Sequence, residues 1–200
     1  MVGTAEMGYV VNLVLNGRLA VVVGGGSVAA RKIEDPMAAQ ARVRVIAAKP
    51  GTAIRSMADE GLIAGEWRPY CTGDLEGAFL AIAATDDESV NARVADDAQA
   101  ASIPVKVVDR PALCTFTLPA VARRGSLAVA VSTGGLCPSL AGVLRDEIGQ
   151  RYGPECADLV RLFGELRQQM IAMGWDSQRD LKRRPGAAGG VPLSVSAQTR

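Results

Sequence analysis

The sequence contains no histidine among its 200 residues. This absence excludes a serine–histidine triad, a histidine-activated cysteine and the usual histidine-rich metal sites. Any acid–base chemistry therefore falls to carboxylates, lysine, tyrosine or cysteine. The cysteines form no CxxC pair, which favours reduced thiols over a disulfide framework or a structural zinc site; they are Cys71, Cys114, Cys137 and Cys156. We predict no bound metal.

Long apolar runs and an excess of charge are also missing. No uninterrupted apolar segment reaches the ~20 residues needed to span a bilayer, and a net charge of +1 argues against a general nucleic-acid surface. Residues 1–17 lack the basic start and long apolar centre of a secretory signal. With 48% hydrophobic residues, the chain can bury a substantial core. We expect a cytoplasmic protein that binds neither membranes nor nucleic acid.

The most informative segment that is present is LAVVVGGGSVAAR, residues 19–31. An apolar strand runs into three glycines and then into a helix, which is the pattern of a dinucleotide-binding loop. Gly24 makes the turn out of the strand, Gly26 leaves room for a pyrophosphate, and Ala29 allows close helix packing. The phosphates are then expected on free N–H groups at the helix start; the predicted contacts there are Gly24, Gly25, Gly26, Ser27 and Val28. The alternative interpretation is a simple glycine turn.

Further strands are predicted at residues 43–48, 78–84 and 105–108, separated by helical stretches. This alternation indicates an α/β fold, with a Rossmann-like parallel sheet covered on both faces. Ligands of such sheets bind beyond the carboxyl ends of the strands. Three polar clusters follow those ends, at residues 24–27, 85–87 and 109–111, and we expect them to converge on one crevice.

The pattern changes after Pro111. Two strands are predicted at residues 114–120 and 127–132, joined through a basic connection at 122–126. Pro138 is suited to the first turn of a helix, and a second helical pattern runs from Leu159 to Met173. In the first crossover helix, Pro36 is expected to end or kink the helix near Asp35. The predicted domains are the nucleotide-binding domain at 1–112, a β-ribbon at 113–137, a small helical C-terminal domain at 138–182 and a disordered tail at 183–200.

Several motifs in this order resemble one known family, the precorrin-2 dehydrogenases of siroheme synthesis. The family includes the N-terminal module of multifunctional siroheme synthases and the fungal bifunctional dehydrogenase–ferrochelatase. The resemblance runs from about Tyr9 to Met173, and its motifs are residues 22–32, 83–91, 107–109, 116–120, 130–135 and 138–141.

The resemblance implies NAD-dependent oxidation of precorrin-2 to sirohydrochlorin, with the family's key carboxylate at Asp109. The chemistry suits an acid there, because hydride removal leaves a cation that must also lose a proton. The alternative interpretation of Asp109 is a turn residue before Pro111. Lys106 replaces an asparagine that is common in the family and brings a positive charge close in sequence to this carboxylate.

The resemblance also implies a substrate with many carboxylates, which cations and backbone donors would bind. The predicted substrate contacts are Arg110, Arg123, Arg124, Ser132, Thr133 and Gly134. Further cofactor contacts are predicted at Ala47, Thr85 and Asp86. No acid follows the second strand to bind a ribose, and Lys49 stands there instead, which keeps NADP open. The resemblance implies NAD, because members of the family generally use NAD without that acid, so NAD is the predicted cofactor.

The ribbon is expected to form a two-fold homodimer, because an isolated two-stranded ribbon is marginal in water. A charged residue at Leu127 or Val129, whichever faces the partner, is expected to disrupt that dimer. With 200 residues, the chain has no room for a fused methyltransferase, which we expect on a separate chain. Two alternative functions stay open. The first is a bifunctional enzyme that also inserts Fe2+, and the second is a non-enzymatic module that senses NAD(H).

Overall fold

The computed structural model describes residues 8–174. The predicted tail at 183–200 and the last part of the predicted helical domain lie outside the described residues. In chain order, the elements are β1 (Leu19–Val23), α1 (Ser27–Ala38), β2 (Arg42–Ile46), α2 (Thr52–Asp59), β3 (Ala64–Glu66), β4 (Leu80–Ala83), α3 (Glu88–Ala100), β5 (Val105–Val107), a 3-10 turn (Pro111–Leu113), β6 (Ala120–Arg124), β7 (Leu127–Val131), α4 (Pro138–Arg151) and α5 (Glu155–Ala172). They form two compact units, and the division falls between Leu118 and Pro119.

The first unit is built on a parallel sheet with the strand order β3-β2-β1-β4-β5. The central strand β1 is almost fully buried, as a strand covered on both faces must be. Alternate β1 residues enter two hydrophobic clusters. Val22 packs with α1 and α2 on one face, whereas Val21 and Val23 pack with α3 on the other. The predicted α/β fold is confirmed.

One crossover has no helix, although the sheet face beneath it is covered. Between β3 and β4, residues 67–79 form a loop with turns at residues 72–77. Tyr70 and Leu75 from this segment enter the cluster on the α3 face of the sheet. The Tyr70 hydroxyl donates to the Asp97 carboxylate of α3 at 2.7 Å. This loop therefore covers the sheet in place of a helix, and its Tyr70 hydroxyl links it to α3.

The sequence prediction placed most strands correctly but missed β3. This strand is three residues long, lies at the sheet edge and contains Gly65, so it has little strand pattern of its own. The prediction was also wrong for residues 114–119, which do not form a strand. Instead, Cys114 and Thr115 bind the outer edge of β5, and β6 begins only at Ala120.

The helix α1 continues through Pro36 to Ala38, three residues beyond the predicted end at Asp35. Its end is set by hydrogen bonds rather than by the proline ring. The Ala41 N–H donates to the Pro36 carbonyl at 2.9 Å, and the Gln40 N–H donates to the Met37 carbonyl at 2.9 Å. With Gln40 at a φ of 60°, this is a Schellman termination.

The second unit begins with the β6–β7 hairpin. Gly125, with a φ of 57°, occupies the first position of the two-residue turn, where glycine is favoured. The predicted basic connection is therefore wrong, because Arg123 and Arg124 lie within β6. The Arg124 guanidinium donates to the Gly149 carbonyl of α4 at 2.5 Å, so the ribbon face that carries Arg124 is turned toward α4.

Leu127 and Val129 lie on this same ribbon face, opposite Arg124 and Ala122 in the register. Both are half-buried, whereas Ala128 and Ala130 on the other face are exposed. The structure turns the Leu127 and Val129 side chains toward the helices of their own chain. A charge that tests a partner interface therefore belongs on the exposed face instead.

Candidate functional site

The glycine loop between β1 and α1 is held between two neighbouring backbone segments. A Cβ atom on Gly24 would lie 2.2 Å from the Ala84 carbonyl oxygen at the end of β4, and Gly24 has a φ of 135°. A Cβ atom on Gly25 would lie 2.5 Å from the Lys49 carbonyl oxygen. Neither position therefore accepts a side chain. These two glycines are required by packing and backbone conformation, whatever binds above them.

Gly26 differs from both, because a Cβ atom there would meet nothing within 4 Å. Gly26 is the N-cap of α1, has no capping side chain, and its φ of −82° is accessible to any residue. The first hydrogen bond of the helix runs from the Ala30 N–H to the Gly26 carbonyl at 3.1 Å. The N–H groups of Ser27 and Val28 precede it and point out of the helix start. Open space and free donors at this end fit the diphosphate of a dinucleotide.

The helix α3 starts at the same edge of the sheet, but its start is closed by its own carboxylate. Asp87 accepts hydrogen bonds from the Ser89 N–H at 2.9 Å and from the Val90 N–H at 3.2 Å. The Ser89 hydroxyl also bonds this carboxylate, and these bonds lower the pKa of Asp87. The start of α1 therefore offers free N–H donors to an external anion, whereas the Asp87 carboxylate at the start of α3 repels it.

Asn91 is a structural residue that the sequence prediction did not include in the site. Among the described residues, it is the one polar side chain that is buried. Its Oδ1 accepts from the Thr85 hydroxyl at 2.9 Å and from the Thr85 N–H at 3.2 Å, while its Nδ2 donates to the Thr85 carbonyl at 2.9 Å. These hydrogen bonds fix Thr85, a predicted cofactor contact, just after β4. Asp86 beside it is exposed.

The end of β2 provides no acid for a ribose. Ala47 is buried in the cluster with α1 and α2, and its N–H donates to the Glu66 carbonyl at 3.0 Å. Lys49 is exposed, and the following Gly51 N–H donates to the Gly25 carbonyl at 2.8 Å. The β2–α2 loop therefore supports the glycine loop through its backbone and places a lysine where many dinucleotide sites place a carboxylate.

Asp109 follows β5 at the same edge and adopts a φ of 57°. Few non-glycine residues occupy this left-handed region, and those that do so cluster at turns and functional sites. The side chain is exposed and lines an open cleft of about 470 Å3. The other lining residues come from the start of α3 and the 3-10 turn, namely Glu88, Asn91, Ala92 and residues 110–113.

Arg110, a predicted substrate contact, is paired with Glu88 across this cleft. Both side chains are at least half exposed, so the pair is weak and exchangeable in water. The guanidinium stays available to a substrate carboxylate, but only in competition with Glu88.

The other predicted substrate contacts lie in the second unit. Ser132 accepts from the Gly134 N–H at 3.2 Å, and Thr133 accepts from the Cys137 N–H at 3.2 Å. These bonds shape the turn that leads into α4. A hydrogen bond to Ser139 lowers the pKa of the Cys137 thiol at the start of that helix. Arg123 is exposed.

Within residues 8–174, no group of three or more histidine, cysteine, aspartate or glutamate side chains is arranged to hold a metal ion. In the same described range, none of the helices combines the length and the apolar character needed to cross a membrane.

Residues 11–120 match the family described as "Putative NAD(P)-binding". The chain is 47% identical over 161 residues to a siroheme synthase of Ectopseudomonas mendocina, covering 78% of this chain and 34% of that protein. It is 48% identical over 167 residues to a siroheme synthase of Pseudomonas paraeruginosa, covering 82% and 36%. The chain thus spans about a third of the length of these relatives.

The fold is also similar to a solved structure described as "SirC, precorrin-2 dehydrogenase". The TM-score is 0.71 at 25% sequence identity, and the match covers 87% of this chain and 86% of that chain. The similarity includes the parallel sheet together with most of the remaining chain. The glycine loop lies inside the matched NAD(P)-binding segment, which confirms the cofactor class predicted from that loop.

Proposed function

Because the chain belongs to this NAD(P)-binding family, we propose that it oxidises precorrin-2 to sirohydrochlorin with NAD as cofactor, a step of siroheme synthesis. The observation that carries the proposal is the position of Asp109. This carboxylate extends from a left-handed turn at the same sheet edge as the open start of α1. The likeness to siroheme synthases and to a precorrin-2 dehydrogenase supplies the substrate class.

The proposed reaction removes a hydride and a proton from the reduced tetrapyrrole. Bound NAD+ supplies the hydride acceptor. The Asp109 carboxylate stabilises the positive charge that develops on the substrate and accepts the proton. Because Asp109 is exposed, the proton is released to solvent and the carboxylate is regenerated. Gly26, Ser27 and Val28 hold the diphosphate through backbone N–H groups, while Thr85 and Asp86 line the same edge.

The carboxylates of the tetrapyrrole require cations, and Arg110 is the cation nearest in sequence to Asp109. We assign Arg110 to a substrate carboxylate that displaces Glu88. Arg123, Arg124, Ser132, Thr133 and Gly134 stay proposed substrate contacts of the second unit. Arg124 is the least available of these because it is already bonded to Gly149 of α4.

A cytoplasmic homodimer is part of the proposal. None of the residues of α5 is buried, and Leu162 and Phe163 are 56% and 63% exposed. The outer face of the β6–β7 ribbon is exposed as well. Apolar faces of this extent are typical of subunit interfaces rather than of a free surface.

The test is an absorption spectrum of the purified protein incubated with precorrin-2 and NAD+. We expect sirohydrochlorin from the wild-type chain. The Asp109→Asn variant should bind NAD+ normally, and its turnover of precorrin-2 should fall by a factor of about 100 or more. Asparagine tolerates the left-handed backbone, so this variant removes the base without adding strain. Asp96→Asn, at an exposed carboxylate of α3 outside the proposed site, is the matched control.

Other outcomes decide between functions. Near-normal turnover by Asp109→Asn would make Asp109 a structural turn residue. NAD binding without any sirohydrochlorin would favour an NAD(H) sensor, and metallated product after addition of Fe2+ would identify a chelatase.

A further inference from the structure

Cys114 contacts the backbone on both sides of Asp109. The Val107 N–H donates to its Sγ at 3.3 Å, and the thiol lies within donating distance of the Val107 carbonyl at 3.2 Å and the Arg110 carbonyl at 3.3 Å. Val107 ends β5, and Arg110 follows Asp109. One half-buried sulfur atom therefore spans the turn that carries the carboxylate.

On its inner side this turn is held by the Val108 N–H, which donates to the Ala83 carbonyl at 2.9 Å, whereas its outer side has fewer contacts. β5 is the last strand of the sheet, so no further strand pairs with its outer edge. The Arg110 N–H reaches the Val107 carbonyl only at 3.4 Å, which is a long hydrogen bond. Asp109 sits between them at a φ of 57°, a conformation that persists only where the surroundings hold it. Within residues 8–174, the Cys114 side chain is hydrogen-bonded to both ends of this turn, at Val107 and at Arg110.

The neighbouring Thr115 makes the same kind of contact at the other end of β5. The Val105 N–H donates to the Thr115 hydroxyl at 2.8 Å, and the Thr115 N–H donates to the Val105 carbonyl at 2.9 Å. Cys114 and Thr115 thus occupy the edge of β5 in place of a sixth strand. Thr115 holds the start of the strand at Val105, whereas Cys114 holds the turn at Asp109.

We propose that Cys114 is a positioning residue for Asp109: its thiol fixes the 107–110 turn in the left-handed conformation that directs the carboxylate toward the substrate. The proposal rests on the proposed function of Asp109. A positioned base loses rate steeply when it is displaced, by up to about 100-fold for an error near 1 Å. The thiol therefore acts on the chemical step and leaves NAD binding, which uses the start of α1, unchanged.

The test compares Cys114→Ala, Cys114→Ser and the matched control Thr115→Val in the full chain. Two quantities are measured: hydrogen exchange of the amides from Val107 to Arg110, and precorrin-2 turnover alongside the Kd for NAD+. Cys114→Ala should speed the exchange of these amides at least about 10-fold and lower kcat about 10-fold or more, with the Kd for NAD+ unchanged. The hydroxyl of Cys114→Ser should restore both in large part.

Thr115→Val should speed exchange at Val105 without lowering kcat, since that residue lies away from the turn. Normal exchange and normal kcat in Cys114→Ala would overturn the proposal while Asp109→Asn stays inactive. If the wild-type chain does not oxidise precorrin-2, the proposed function fails, and the exchange measurement alone decides whether Cys114 holds the turn. If Cys114→Ala does not fold, Cys114→Val takes its place, because valine fills the space of the thiol without its hydrogen bonds. Fast exchange and low kcat in Cys114→Val would support the proposal, and wild-type values for both would overturn it.

Discussion

Gly26 is the position at which NAD binding and fold stability are separable. The change to aspartate places a carboxylate at the N-cap of α1, in space where a Cβ atom meets nothing within 4 Å. Aspartate is a favoured N-cap residue, and the φ of −82° and ψ of −178° are open to it. We therefore expect Gly26→Asp to fold, with its free energy of unfolding unchanged or raised by about 0.5 kcal/mol.

The same carboxylate should abolish NAD binding, because it takes the N–H groups that the diphosphate needs and brings a like charge beside it. Two unit charges at about 4 Å repel by about 4 kcal/mol at an effective dielectric constant of 20. This corresponds to a loss of about 1,000-fold in affinity. Calorimetric titration of NAD+ measures the loss, and thermal unfolding of the protein without ligand measures stability.

Two control variants separate charge from shape. Gly26→Asn caps the helix without a negative charge and should lose far less affinity than Gly26→Asp. Gly24→Ala should instead destabilise the fold by about 3–5 kcal/mol, because its Cβ atom would lie 2.2 Å from the Ala84 carbonyl at a φ of 135°. A folded Gly26→Asp protein with the wild-type Kd for NAD+ would refute the placement of the diphosphate, and an unfolded one would refute the open space.

Three further predictions concern two ion pairs of the first unit and the exposed face of the β6–β7 ribbon. Glu88→Gln releases Arg110 from its ion pair and should lower the KM for precorrin-2 a few-fold; an unchanged KM in steady-state kinetics would remove Arg110 from substrate binding. Hydrogen bonds from Arg68 lower the pKa of Asp74, so the folded state gains stability above the unfolded carboxyl pKa of about 4 and loses it as the pH falls below that value. Asp74→Asn should lower the free energy of unfolding by about 1–2 kcal/mol at pH 7 and flatten its pH dependence below about pH 5. Parallel curves of unfolding free energy against pH for the variant and the wild-type protein would show that the Arg68–Asp74 pair is not coupled to folding. Ala130→Asp, on the exposed ribbon face, should turn a dimer into a folded monomer in light scattering; a wild-type chain that is already an active monomer at micromolar concentration would exclude the dimer.

The local pattern of the sequence determined the class of fold and the class of cofactor. Continuous apolar runs such as Leu19–Val23 are long enough to identify buried parallel strands, and a glycine triplet between a strand and a helix is the pattern of a dinucleotide-binding loop. Pro138 likewise marked the start of α4 correctly. These features depend on neighbours within a few residues, because backbone conformation and side-chain periodicity are local properties.

Only the tertiary structure decided how the three glycines differ and what surrounds Asp109. Gly24 and Gly25 are constrained by carbonyl groups of Ala84 and Lys49, which are distant in sequence, whereas Gly26 faces open space. A strand was predicted at 114–120, but the start of this segment lies along the outer edge of β5 instead. The N–H groups on that edge of β5 need partners, and Cys114 accepts from one of them, the Val107 N–H. Hydrogen-bond satisfaction and steric contact between distant segments arise only when the chain has folded, and no periodicity in the sequence records them.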